Sequence, residues 1–161
     1  GQTVERLLGM AINSDQADDF GTWELKVVPL VPAVQAGGWR LKESMAITMF
    51  SVADLEPQPF DESHLWAKLQ RSLVVGPSFE GAGESRSILL GAAPFDLDDP
   101  VLYAAIEEDY DEIRWVVRTE GLHALGGHIG QFVHPRPKGG KDAETMGFYA
   151  RKSLVGRILG L

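Results

Sequence analysis

With 161 residues, 44% hydrophobic and 24% charged, the chain has the size and balance of one globular domain, read here as 1–161. It has no cysteine, which excludes disulfides, thiolate zinc sites and cysteine nucleophiles. The net charge of −8 opposes nonspecific attraction to nucleic acid, but the charge is unevenly placed: residues 134–161 hold six basic and two acidic residues, +4, and the other 133 residues hold −12. No apolar run approaches the roughly 18–20 residues that span a bilayer, and the opening residues do not read as a signal peptide, so the expected location is the cytoplasm.

Residues 4–12 place apolar side chains at 4, 7, 8, 11 and 12, the spacing of an amphipathic helix, with Glu5 near the edge of its apolar face. A polar loop over 13–19 leads to an alternating run over 22–28, a strand with Glu24, Lys26 and Val28 on one face. After the Pro29 to Gly38 loop a second alternating run, 44–51, turns Met45, Ile47 and Met49 one way, and the two runs read as a hairpin-like pair. Residues 63–69 read as a helix. The runs 71–75 and 87–90 read as strands about a glycine-rich turn at Gly81 and Gly83.

Asp98-Asp99-Pro100 has the acidic cap and early proline of a helix start, and the helical pattern runs to about Arg118. Its acids Glu107, Glu108, Asp109, Asp111 and Glu112 are expected on a solvated face, a partner-docking surface being the alternative. A short strand over 131–134, a turn over 135–140, and a strand and helix over 147–161 complete the chain.

Chemistry concentrates in Asp19-Phe20-Gly21-Thr22-Trp23-Glu24-Leu25-Lys26. The two-residue period puts Glu24 and Lys26 side by side, so that a carboxylate can bind a metal while the amine meets a phosphate or water. Asp19, ending the loop, can converge on the same metal, and the hard carboxylate oxygens suit magnesium. Spacing alone leaves a solvated strand face as the competing explanation. Gly139-Gly140-Lys141-Asp142 lacks the spacing and the Ser/Thr of a phosphate-binding loop, and His123 and His128 are not spaced as a helical metal pair.

Several segments together are similar, along about residues 1–160, to the MutH-type DNA endonucleases, the mismatch-repair nicking enzymes and their type II restriction relatives. They are the 1–9 segment with Glu5, Asp19-Phe20 with Glu24-Leu25-Lys26, the 63–71 segment with Lys68, Arg136-Pro137-Lys138, and Gly147-Phe148-Tyr149-Ala150-Arg151-Lys152. Only four residues separate Asp19 from Glu24, fewer than in the mismatch-repair enzyme, which makes Asp18 a substitute ligand.

The resemblance implies an α/β fold of the restriction-endonuclease, PD-(D/E)xK type: a mixed central sheet flanked by helices, with two lobes around a DNA cleft. Asp19 and Glu24 would bind one or two Mg2+ ions, for which Mn2+ could substitute. Glu5 would join a second ion or orient water, Lys26 would meet the attacking water or the scissile phosphate, and Lys68 would contact backbone or active site. Arg136 would read guanine, Pro137 would restrict the turn and Lys138 would grip phosphate. Tyr149 would lie against a base edge and sense adenine methylation, and Arg151 and Lys152 would support phosphate binding. The expected activity is magnesium-dependent cleavage of double-stranded DNA, restriction-type and at GATC-like sites. The alternatives are methyl-directed nicking with a mismatch-repair partner protein, or a noncatalytic DNA-binding or effector module of the same fold.

Overall fold

The computed structural model describes residues 23–35, 37–81, 86–138 and 145–161. Strand β1 (Glu24–Val27) alternates as expected, with Leu25 buried and Glu24 and Lys26 half-buried on the other side. Strands β2 (Leu30–Pro32) and β3 (Trp39–Leu41) form an antiparallel hairpin whose turn includes Gly37 and Gly38, both at positive φ, 70° and 75°. The loop expected between two paired strands is therefore itself a hairpin. It carries the chain into another sheet, and β4 (Met45–Phe50) pairs antiparallel with β8 (Met146–Ala150) instead of with β1.

After a short helix α1 (Val52–Leu55), helix α2 (His64–Leu69) starts where expected. Its cap is Ser63, whose hydroxyl accepts from the Trp66 amide at 3.1 Å and donates to the Phe60 carbonyl at 2.6 Å. Leu65 and Leu69 are fully buried, which fixes the helix against the core. Strand β5 (Arg71–Pro77) follows at once, parallel to β1 and antiparallel to β6 (Leu89–Asp96). β6 is twice as long as the four-residue run expected, and it accommodates Pro94 because it is the outer strand of the β1-β5-β6 sheet.

Helix α3 (Pro100–Glu120) is the longest among the described residues, with Asp99 capping Val101 at 2.9 Å. It buries Leu102, Ile106, Tyr110, Ile113, Val116 and Val117, and packs the Tyr110 ring between Phe60 and Phe148, tilted to both, with ring centres 5.7 Å away in each case. Strand β7 (Val133–Pro137) runs through the residues expected as a turn, again on an edge where prolines cost no ladder partner. Helix α4 (Lys152–Leu159) follows β8 directly.

The strands thus divide into a mixed sheet β1-β5-β6, an antiparallel sheet β4-β8-β7 and the β2-β3 hairpin, with one buried core. The architecture is mixed α/β, as expected; its strands form these separate ladders among the described residues rather than one central sheet. No helix there is long and apolar enough to cross a membrane.

Candidate active site and recognition strands

β1 and α2 bring three of the expected residues together. Glu24 receives Lys26 Nζ on Oε1 at 2.7 Å and Lys68 Nζ on Oε2 at 3.0 Å. The side chains of Glu24, Lys26 and Lys68 are only 12%, 11% and 13% exposed, so one carboxylate holds two largely desolvated ammonium groups. The local backbone explains the convergence. Glu24 pairs with Ser72 in the β1–β5 register, and the Ser72 hydroxyl donates to the Lys68 carbonyl at 3.1 Å, tying the end of α2 beside β1.

Lys26 has a second acceptor, the Ile47 carbonyl at 2.8 Å. Ile47 has no partner in the β4–β8 register, which shifts between Ala46 and Thr48. A bulge therefore leaves a backbone oxygen for the lysine and joins the two sheets at the site. Sequence reasoning did not find this contact, because a bulge leaves no mark in a regular alternation.

Glu5 and Asp19, with the substitute Asp18, lie outside the described residues. Among the described residues no group of three His, Cys, Asp or Glu could hold an ion. Glu24 itself fits a hard cation: it offers two oxygens in a nearly dry setting, and the positive charge now around it is what an ion would supply.

The expected DNA-binding residues divide into two groups. Arg136 is exposed on β7, its guanidinium carbon 5.5 Å from the ring centre of half-buried Tyr149 on β8. Exposed Pro137 ends β7, and exposed Lys138 follows, its amide bonded to the Thr145 carbonyl at 2.9 Å. Arg151 is turned inward: Nε donates to the Gly130 carbonyl at 2.9 Å, and Nη2 to those of Gly127 and Ile129 at 2.7 and 2.8 Å. Lys152 Nζ donates to the Lys42 carbonyl at 2.8 Å. The phosphate role expected for these two competes with backbone bonds already made.

Two residues were missed. His134 is opposite Tyr149 in the β7–β8 register, with ring centres 6.3 Å apart. It is buried, Nε2 is 3.2 Å from the Ser44 hydroxyl, and Nδ1 has no hydrogen-bond partner. Burial lowers its pKa to about 4, with the positive charges of Arg151 and Arg136 adding to the effect. Its position two residues before Arg136, on the same strand face, is the signal that would have found it.

The second is Asp109. The expected solvated face holds for most of the acidic run but not here: Asp109 is 4% exposed and accepts the amides of Gln131, Phe132 and Val133. Its place three residues after Ile106 and four before Ile113 puts it on the apolar stripe, which a helical-face count detects.

β4 links the two parts of the site. Lys26 reaches Ile47, and the adjacent Ala46 pairs with Tyr149. A model of the family described as DNA mismatch repair enzyme MutH matches residues 8–87, a span that includes Asp19, Glu24, Lys26 and Lys68. The DNA mismatch repair protein MutH of Haemophilus ducreyi is 25% identical over 176 aligned positions, covering 99% of this chain and 76% of that protein.

Proposed function

Because the chain belongs to the MutH-type endonuclease family, we propose that it is a mismatch-repair endonuclease that nicks one strand of duplex DNA at GATC-like sites. The carrying observation is the Glu24 carboxylate shared by Lys26 and Lys68 within the matched span. Both comparisons bear mismatch-repair names, which favours nicking over the restriction-type cleavage expected from the sequence.

In this reading 1–161 is one PD-(D/E)xK domain, and its two lobes hold DNA between the Glu24 and Arg136 regions. Glu24, Asp19 and Glu5 would hold magnesium, or manganese in its place, and that ion supplies a Lewis acid against phosphate charge. Lys26 moves one hydrogen bond from Glu24 to the scissile phosphate or the attacking water, while the Ile47 carbonyl keeps its amine in place. Lys68 holds the other oxygen of Glu24, which fixes the rotation of the carboxylate. Arg136 has the donor fork for guanine O6 and N7, and Tyr149 beneath it meets the adenine edge where methylation is sensed. A mismatch-repair partner protein would deliver the enzyme to its strand.

The test is incubation of the purified protein with supercoiled GATC-containing plasmid, in methylated and unmethylated forms, with magnesium or with chelator. Magnesium-dependent relaxed circles from unmethylated plasmid are expected. Discrete linear fragments would replace nicking by restriction-type cleavage. Bound but uncut plasmid would leave a noncatalytic DNA-binding module.

A further inference from the structure

The segment from Gly127 to Val133, which delivers the chain from α3 to β7, is held by charged side chains of both signs. From α3, the Asp109 carboxylate accepts the Gln131 amide and those of Phe132 and Val133 at 2.7 Å, and Glu112 accepts the Gly130 amide at 3.1 Å. From the end of β8, the Arg151 side chain takes the carbonyls of Gly127, Ile129 and Gly130, and its amide donates to the Phe132 carbonyl at 2.8 Å. Gly130 sits at φ 77°, where a Cβ would come within 1.9 Å of the Val133 carbonyl oxygen, so the segment closes too tightly to admit a side chain.

The placement of these groups is what matters for function. Arg151 is two residues beyond Tyr149, and Val133 is three residues before Arg136. The two side chains proposed to meet base edges therefore emerge from neighbouring strands, paired from Val133–Ala150 to Pro137–Met146, whose entry and exit are clamped together at this end of the ladder. A bidentate base contact tolerates only about 0.5 Å and 10–20° of misplacement, so the relative position of Arg136 and Tyr149 must be set by groups that do not themselves touch DNA. A guanidinium fork spread over three carbonyls, and a buried carboxylate under three successive amides, supply that rigidity.

We infer that Asp109 and Arg151 are positioning residues for sequence discrimination, fixing β7 against β8 so that Arg136 and Tyr149 reach the same site together. The inference rests on the reading of Arg136 and Tyr149 given above. It assigns to the inward-turned Arg151 a role different from phosphate binding.

Arg151→Lys separates these roles, because lysine keeps the charge but cannot present a planar fork to three carbonyls. Binding is measured in calcium, without cleavage, to a GATC duplex and to the same duplex with one base pair changed, at about 50 and 200 mM salt. The variant is expected to keep the parent's affinity for the changed duplex and its salt dependence, while preference for GATC falls about tenfold, within the range of one lost base contact. Asp109→Asn should do the same. A variant that retains the parent's preference overturns the inference, as does one that loses affinity equally for both duplexes with a shallower salt dependence. Should either variant fail to fold, Glu112→Gln perturbs the exposed edge of the same clamp and must still reduce the preference; an unchanged preference there overturns the inference too. A parent protein without preference between the duplexes defeats the reading of Arg136 and Tyr149, and the inference with it. A discriminating parent beside an equally discriminating Arg151→Lys defeats the clamp alone.

Discussion

Replacing Glu24 by glutamine should destabilise the protein in metal-free buffer as well as abolish cleavage. The two ammonium groups of Lys26 and Lys68, 2.7 and 3.0 Å from the two oxygens of one carboxylate, lie at most about 8 Å apart. At an effective dielectric near 20 they repel by roughly 2 kcal/mol once the intervening negative charge is removed. Two charge-assisted hydrogen bonds are weakened at the same time, in a setting where Glu24, Lys26 and Lys68 are 12%, 11% and 13% exposed. Breaking a pair buried to this degree costs about 3–5 kcal/mol, or roughly 10 °C in melting temperature for a domain of this size. Thermal and urea denaturation of the parent, Glu24→Gln and the double variant Glu24→Gln/Lys26→Met measure it. The double variant should regain part of the lost stability, since it removes one of the repelling charges, but none of the cleavage. A Glu24→Gln protein as stable as the parent, or a double variant less stable than the single one, would refute the reasoning.

His134 gives a pH dependence of definite sign. Its folded pKa of about 4 is below the ordinary 6.5, so the unfolded chain binds more protons between these values, and stability contributed by the neutral imidazole is present above pH 6.5 and lost as pH falls towards 4. The span corresponds to about 3 kcal/mol, and the difference in urea midpoint between parent and His134→Gln at pH 7.5 and 4.5 should show it; an identical pH slope in the two proteins would count against a buried neutral His134. Arg136→Ala should cost roughly 1–3 kcal/mol of discrimination at one base pair, whereas Lys138→Ala should weaken all sequences alike and shallow the salt dependence. Cleavage of the preferred site against single-base variants separates them, and a uniform loss for Arg136→Ala would make it a phosphate anchor.

The sequence by itself determined the features that depend on neighbours in the chain. Alternation put Glu24 and Lys26 on one face of β1, Ser63 and Asp99 marked the starts of α2 and α3, and the order of short motifs pointed to the family. The tertiary structure decided which strands meet. Gly37 and Gly38 fold the 29–41 stretch into its own hairpin, so β4 left the expected partner for β8, 96 residues or more away in the chain and invisible to local periodicity. That choice placed the Ile47 carbonyl, left without a register partner, against Lys26 and Ala46 beside Tyr149, joining the proposed catalytic and recognition groups through one strand. It also decided the fate of charges whose type was plain but whose partner was not. Asp109 looks solvated in an acidic run, and Arg151 looks like a phosphate ligand in a basic tail, until the 127–133 segment is folded between them and offers backbone amides to one and carbonyls to the other. A buried backbone polar group must be satisfied, and which side chain does so is settled only when distant segments are packed together.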